Sequence, residues 1–215
     1  MVITRTYTDP PMDKREILWY AGCKNAMQES SAFSDGNGGG SMEELLEAAL
    51  YEVLPKLSYK VCYMELPLHI SGSTCDFGGM QIESRDLAKN LSGCESVFLF
   101  AATIGVEIDR LILKYSAVSP AKAVMLQAIG AERIEALCDS FCEDITQELA
   151  LSGARVRLHP RFSPGYGDLP LQKQADIFRL LNCGKYIGVS LNESLLMSPT
   201  KSVTAFVGKE KEEER

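Results

Sequence analysis

The sequence predicts an α+β domain, a single domain built around an antiparallel β-sheet with packed helices, and three features carry that expectation. Strand-length and helix-length patterns interleave irregularly, without the regular βαβ alternation of a parallel sheet. Two runs, Tyr59–Leu66 and Ser96–Thr103, have the length and the β-branched, aromatic or apolar content of core strands. The composition, 46% apolar and 24% charged over 215 residues, is that of a globular chain with one sizeable core and a modest appendage at most.

In order along the chain, Met12–Ala21 carries Ile17, Leu18 and Tyr20 among charges and ends at Gly22, the pattern of a short helix with a glycine stop. The small-residue tract Gln28–Gly40 suits a mobile loop, and Ser41-Met42-Glu43-Glu44 has the spacing of a capping box. Leu45, Leu46, Ala49, Leu50, Val53 and Leu54 then recur at helical spacing until Pro55. Between the two core strands the expectation is a turn at Cys75–Gly79, a short strand at Met80–Ile82 and a capped helix over Ser84–Leu91. After a break at Gly105 comes a helix over Glu107–Tyr115. Ser119 and Pro120 then open the longest helix, whose apolar series runs from Val124 to Leu149 and ends at Gly153. The remainder reads as a strand at Arg155–Leu158, turns over Pro160–Leu169, a helix over Leu171–Leu181, and strands at Gly188–Leu191 and Ser202–Val207. Lys209–Arg215 is a solvated charge run expected to fray. The expected organisation is therefore an N-terminal helix and flexible loop over 1–41, an α+β core over 42–208 and a charged tail over 209–215.

Charge and composition exclude several classes of function. A formal net charge of −7 opposes the attraction to phosphates that drives nucleic-acid binding, so no nucleic-acid partner is expected. No apolar run reaches the roughly 18–20 residues needed to span a bilayer, and Met1–Pro10 lacks the apolar core of a secretory signal; a cytoplasmic location with no membrane partner follows. The seven cysteines are odd in number, scattered and without a Cys-x-x-Cys pair, which fits reduced thiols. Cys138 and Cys142 stand one helical turn apart, but no second pair is spaced to complete a zinc site, and buried small side chains is the favoured reading. Gly36–Gly40 lacks the Gly-Lys-Ser/Thr ending of a phosphate cradle, and the two histidines, His69 and His159, have no hydrolase motif around them.

The informative stretch is Arg161-Phe162-Ser163-Pro164-Gly165-Tyr166-Gly167-Asp168. Two glycines and a proline fix a tight backbone and set a guanidinium beside a phenol. Arginine's planar fork grips a carboxylate in bidentate fashion, and glycines let backbone groups approach a ligand closely. Taken alone, the stretch is equally an ordinary surface turn.

At these residues the chain resembles the activation domain of cobalamin-dependent methionine synthases, whose S-adenosylmethionine site contains an Arg-x-x-x-Gly-Tyr motif matched by Arg161, Gly165 and Tyr166. Ile187-Gly188-Val189-Ser190-Leu191-Asn192-Glu193-Ser194 is similar to a second family segment, and Met197-x-Pro199 followed by Ser202-Val203 continues it. Ala102–Gly105, Glu107–Asp109 and the helix at Ala128–Asp139 are similar as well, so the resemblance covers roughly residues 95–207. The fused enzymes continue the motif with Pro-Ala-Cys-Pro, where this chain has Gly167-Asp168-Leu169-Pro170, the form of freestanding activation subunits.

The resemblance implies an S-adenosylmethionine-binding activation subunit that supports reductive methylation of a cobalamin carried by a partner. That partner is the cobalamin-binding module of methionine synthase or a related corrinoid protein, with flavodoxin or another electron donor supplying the reduction. The implied ligand-binding residues are Arg161 on the methionyl carboxylate, Pro164, Gly165 and Tyr166 as a backbone cradle, and Glu193 and Ser194. Tyr166, at the cobalamin-facing mouth, is the catalytic candidate, and no metal ligand is implied. Glu193 is read either as orienting a cationic group or as completing a turn, while Asp13 and Glu16 are candidates for the ligand's amino group. The alternative function is a non-catalytic S-adenosylmethionine sensor for a corrinoid protein.

Overall fold

The computed structural model describes residues 1–23 and 42–212. In chain order the elements are β1 (Ile3–Tyr7), α1 (Lys14–Tyr20), α2 (Met42–Val53) with a 3₁₀ turn at Leu54–Lys56, β2 (Tyr59–Pro67), β3 (His69–Ser71), β4 (Thr74–Asp76), β5 (Gln81–Glu83) and α3 (Arg85–Asn90). These are followed by β6 (Ser96–Thr103), α4 (Glu107–Ser116), α5 (Pro120–Leu151), β7 (Val156–Leu158), α6 (Lys173–Leu181), α7 (Cys183–Ile187), β8 (Ser190–Leu191), β9 (Met197–Ser198) and β10 (Ser202–Lys211). Five strands form the main sheet in the order β1-β2-β6-β10-β7, every neighbouring pair antiparallel. β3, β4 and β5 make a small second sheet, and β8 and β9 a hairpin. The antiparallel α+β class expected from the sequence is the class observed.

The apolar run Ser96–Thr103 is the sheet's middle strand, and helices cover both of its faces, which is why it lacks a polar alternation. Phe98, Phe100 and Ala102 point into a core shared with Ile17, Leu50, Ile108, Leu126 and Phe141 of α1, α2, α4 and α5. Val97, Leu99 and Ala101 point the other way, into a second core with Leu87, Ile177 and Ile187 of α3, α6 and α7. This two-residue period is the geometry of a pleated strand. Aromatic rings knit both cores: Phe141 packs on Tyr63 and Phe100 at 5.0 and 4.9 Å between centroids, and Phe77 stacks on Phe206 at 5.1 Å. α5, 32 residues long, crosses the first face of the sheet over roughly 48 Å.

Several elements differ from the sequence expectation. Ile3–Tyr7, polar in composition, pairs as an edge strand with Tyr63–Tyr59; only one of its edges is bonded and little of it is buried, so no apolar alternation announces it. α7 and the short strands β3 and β9 were not legible. Thr74–Asp76 is strand rather than turn; the turn follows it, closed by the Asp76 carboxylate accepting from the N–H groups of Gly78 and Gly79 at 2.9 and 3.1 Å. Ser119 occupies the cap position of α5 without a side-chain capping bond. β10 runs through Lys211, because Lys209, Glu210 and Lys211 pair with Leu158, Arg157 and Val156. The expected Gln28–Gly40 loop and the Ser41 cap lie outside the described residues. The cysteines are free thiols, and among the described residues no third ligating side chain joins Cys138 and Cys142. Among the described residues no helix is long and apolar enough to cross a membrane.

Candidate functional site

The Arg161–Leu169 loop leaves the open edge of β10. Phe162 forms an isolated bridge with Phe206, each N–H donating to the other's carbonyl at 2.9 Å, and its ring is buried on the α6 side of the sheet. Arg161, one residue earlier, therefore points to the opposite face, towards α5, as strand alternation dictates. There its guanidinium donates to Glu135 at 2.7 Å and to Asp139, which lie four residues apart on one face of α5. Burial opposes the charge of Arg161, but the Asp139 and Glu135 carboxylates outweigh it and the guanidinium's pKa is raised. The same burial pushes up the thiol of Cys138 beneath it.

The rest of the loop closes on itself. Gly165 donates to Leu169 O at 2.8 Å, Tyr166 to Ser163 O at 3.1 Å and Leu169 back to Tyr166 O at 3.0 Å. Gly165 (φ +88°) and Gly167 (φ +54°) occupy the left-handed region that the turn needs. Pro164 and Leu169 are buried, whereas Tyr166 is 70% exposed with its ring edge-on to Phe162 at 5.6 Å.

Asp139, one of Arg161's two carboxylate partners, borders a cavity of about 230 Å³ between α1 and α5, together with Asp13, Glu16, Glu132, Ser140 and Glu143. Asp13 and Glu16, the sequence candidates for the amino group, are thus placed on the same cavity as Asp139. Past Ser140 and Glu143 it adjoins a larger groove of about 780 Å³ along β1, where Arg5 is held by Glu148 at 2.6 Å.

What holds Asp13 there is a feature the sequence reading missed. Arg133 and Glu132 are ion-paired at 2.6 Å and 0% and 2% exposed. Arg133 also donates to Pro10 O at 2.8 Å and to Pro11 O, while Glu132 accepts the Asp13 N–H at 2.8 Å. Asp13 in turn caps α1 through the N–H of Arg15 at 2.8 Å. The available signal was position: Arg133 falls four residues after Ile129 and four before Leu137, inside the apolar stripe of α5.

Glu193 and Ser194 are not joined to Arg161. They form the exposed tip of the β8–β9 hairpin, where the Asn192 side chain accepts from the N–H groups of Ser194 and Leu196, both at 2.9 Å. Gln174 of α6 anchors the tip through Leu195 O at 2.7 Å, and among the described residues no hydrogen bond or ion pair reaches the Glu193 carboxylate. The structure thus sets Arg161 on Asp139, which borders one cavity with Asp13 and Glu16, and carries Glu193 and Ser194 on the hairpin.

A crystal structure of the MetH reactivation domain bound to AdoHcy superposes with a TM-score of 0.65 over 100% of this chain and 80% of that one, at 17% identity, a likeness of fold. No curated protein matches the sequence. The profile of the family described as the vitamin B12-dependent methionine synthase activation domain matches residues 85–214, more than half of the chain. The chain belongs to that family.

Proposed function

We propose that this chain binds S-adenosylmethionine between the Arg161–Tyr166 loop and the Asp13–Glu16 arm, and acts as the activation subunit of a separate cobalamin-carrying partner, a methionine synthase or related corrinoid protein. The observation carrying this reading is the meeting of one guanidinium with a carboxylate-lined cavity: Arg161 touches Asp139, and Asp139 borders the cavity with Asp13 and Glu16. The ligand offers one carboxylate and two cations, an ammonium and a sulfonium, in the complementary arrangement. On this reading the ligand's carboxylate takes one edge of the Arg161 fork, and Asp139, released from it, joins Asp13 and Glu16 around the cations. A volume of about 230 Å³ suits the amino-acid end, and the adjoining groove leaves room for the nucleoside.

A corrinoid on the partner, reduced by a donor of the flavodoxin kind, would supply the nucleophile. The S–CH₃ bond of the sulfonium breaks with its electron pair kept by sulfur, leaving a neutral thioether, and the methyl group passes to the partner. No base is needed on the donor side, so this chain contributes positioning: Arg161 fixes the amino-acid end, the Pro164–Tyr166 backbone borders it, and the exposed Tyr166 lies where a partner approaches.

Calorimetry with S-adenosylmethionine tests the site. Arg161→Ala is expected to leave the fold intact and weaken binding by about 2–4 kcal/mol, the size of a charge-assisted bidentate pair; unchanged affinity overturns the assignment. Label from the S-methyl group should then reach the corrinoid of a reduced partner. Tight binding without label transfer would favour the sensor reading instead.

A further inference from the structure

The end of the ligand loop is bound to a helix that the ligand reading does not use. The Asp168 carboxylate accepts from the Ser84 hydroxyl, from the Arg85 N–H at 2.9 Å and from the Asp86 N–H at 3.2 Å, all at the start of α3. Asp86 returns the contact, its carboxylate accepting the Asp168 N–H at 3.2 Å. Ser84 serves both sides: its oxygen accepts the Leu87 N–H at 3.1 Å as the cap of α3 while its proton goes to Asp168. Gly167 is required for the approach, because at φ +54° a Cβ would run into the Asp86 carboxylate.

From these contacts we infer that Asp168 is a positioning residue, the latch through which α3 sets the Gly165–Tyr166 segment in its ligand-binding conformation. The inference rests on the ligand reading above. The loop's internal hydrogen bonds fix its shape but not its orientation, which comes from its two ends. At one end Phe162 is bridged to β10 and Arg161 is held by α5. At the other, between the exposed residues 165–167 and the buried Leu169, Asp168 makes the contacts to α3. The ion pair with Arg85, at 3.7 Å and with Arg85 87% exposed, adds little beside the hydrogen bonds. Opening the latch therefore frees Gly165 and Tyr166 while Arg161 stays in place, so affinity falls only in part.

The test reads the loop with and without ligand in the full chain. In Asp168→Ala, exchange of the Gly165 and Tyr166 amide hydrogens, followed by NMR without ligand, is expected to accelerate at least about tenfold, and the Kd for S-adenosylmethionine to rise about tenfold with the thermal midpoint shifted by only a few degrees. Asp168→Asn keeps an acceptor oxygen and should recover part of both effects, and Ser84→Ala should reproduce them more weakly, serving as the readout should Asp168→Ala not fold. Unchanged amide exchange in Asp168→Ala and Ser84→Ala overturns the latch. Accelerated exchange with unchanged affinity, while Arg161→Ala still loses binding, overturns the positioning role and leaves the ligand reading standing. A wild-type chain that takes up no S-adenosylmethionine defeats the ligand reading, and the positioning role with it.

Discussion

Arg133 and Glu132, consecutive on α5, form an ion pair sealed from water, and each also hydrogen-bonds the backbone of the N-terminal arm. Burying two charges costs several kcal/mol per ion, offset here by mutual attraction and by satisfying three backbone groups that would otherwise lack partners. The pair thereby converts a position on the long helix into a position for Asp13.

The first prediction follows from that asymmetry. Arg133→Met leaves the Glu132 carboxylate buried without its cation and should cost about 3–5 kcal/mol in urea unfolding. The double replacement Glu132→Gln with Arg133→Met removes the stranded charge and should be less destabilising than Arg133→Met alone. A double variant less stable than the single one would contradict this account.

A second prediction separates charge from shape at the loop. Arg161→Lys retains a cation near Glu135 and Asp139 but cannot present the planar fork, so stability should change by less than about 1 kcal/mol while ligand affinity falls about tenfold. Equal ligand affinity of the lysine variant in calorimetry would mean that only charge matters there.

The tightest glycine in the sheet gives a third. Gly208, paired with Val97, stands so close to α3 and the turn after it that a Cβ would meet Cys94 Sγ and Leu91 Cδ2, the latter at 2.9 Å. Gly208→Ala should overpack this contact and cost about 1–3 kcal/mol in denaturant unfolding, whereas a neutral result would show that α3 yields.

The fourth concerns pH. Glu52 is ringed by Lys122 at 2.6 Å, Tyr115 at 2.8 Å and Lys114 at 3.3 Å; Lys122 above all, against the opposing effect of burial, pulls its carboxyl down to about 2. Because the folded pKa lies below the unfolded one, this contribution is complete above about pH 4.5 and is lost as pH falls towards 2. Solvent screening limits it to roughly 1–2 kcal/mol. Glu52→Gln should therefore be less stable than wild type at pH 7, the two melting curves converging by about pH 2; a gap that persists there would rule out the linkage.

How much was legible varied with how much of the cause was local. Ser96–Thr103 was read to the residue because a strand buried on both faces is uniformly apolar. α5 was bounded by Pro120 and Gly153, whose backbone preferences act without neighbours. β1 was missed because an exposed edge strand has no such pattern, and β10 was read short because Lys209–Lys211 are charged yet paired. At the site, the chemistry of Arg161, Gly165 and Tyr166 was visible in their spacing and in the family likeness. The meaning of Asp168 was not, since its partners at Ser84–Asp86 are more than eighty residues away.

By itself, the sequence determined what a short stretch of chain can dictate: where helices start and stop, which strand lies at the centre, where the backbone must turn left-handed, and that a guanidinium stands beside a tight glycine loop. Tertiary structure alone decided which charges meet. Arg161 lies against Glu135 and Asp139, Glu132 and Arg133 hold the arm that carries Asp13, and Asp168 binds α3, while Glu193 stands exposed on its hairpin. The physical reason is that apolar periodicity and glycine conformation act over a few residues, whereas a carboxylate and a cation attract with no preference for their separation in sequence. Their pairing is set only when the packed core brings their elements together.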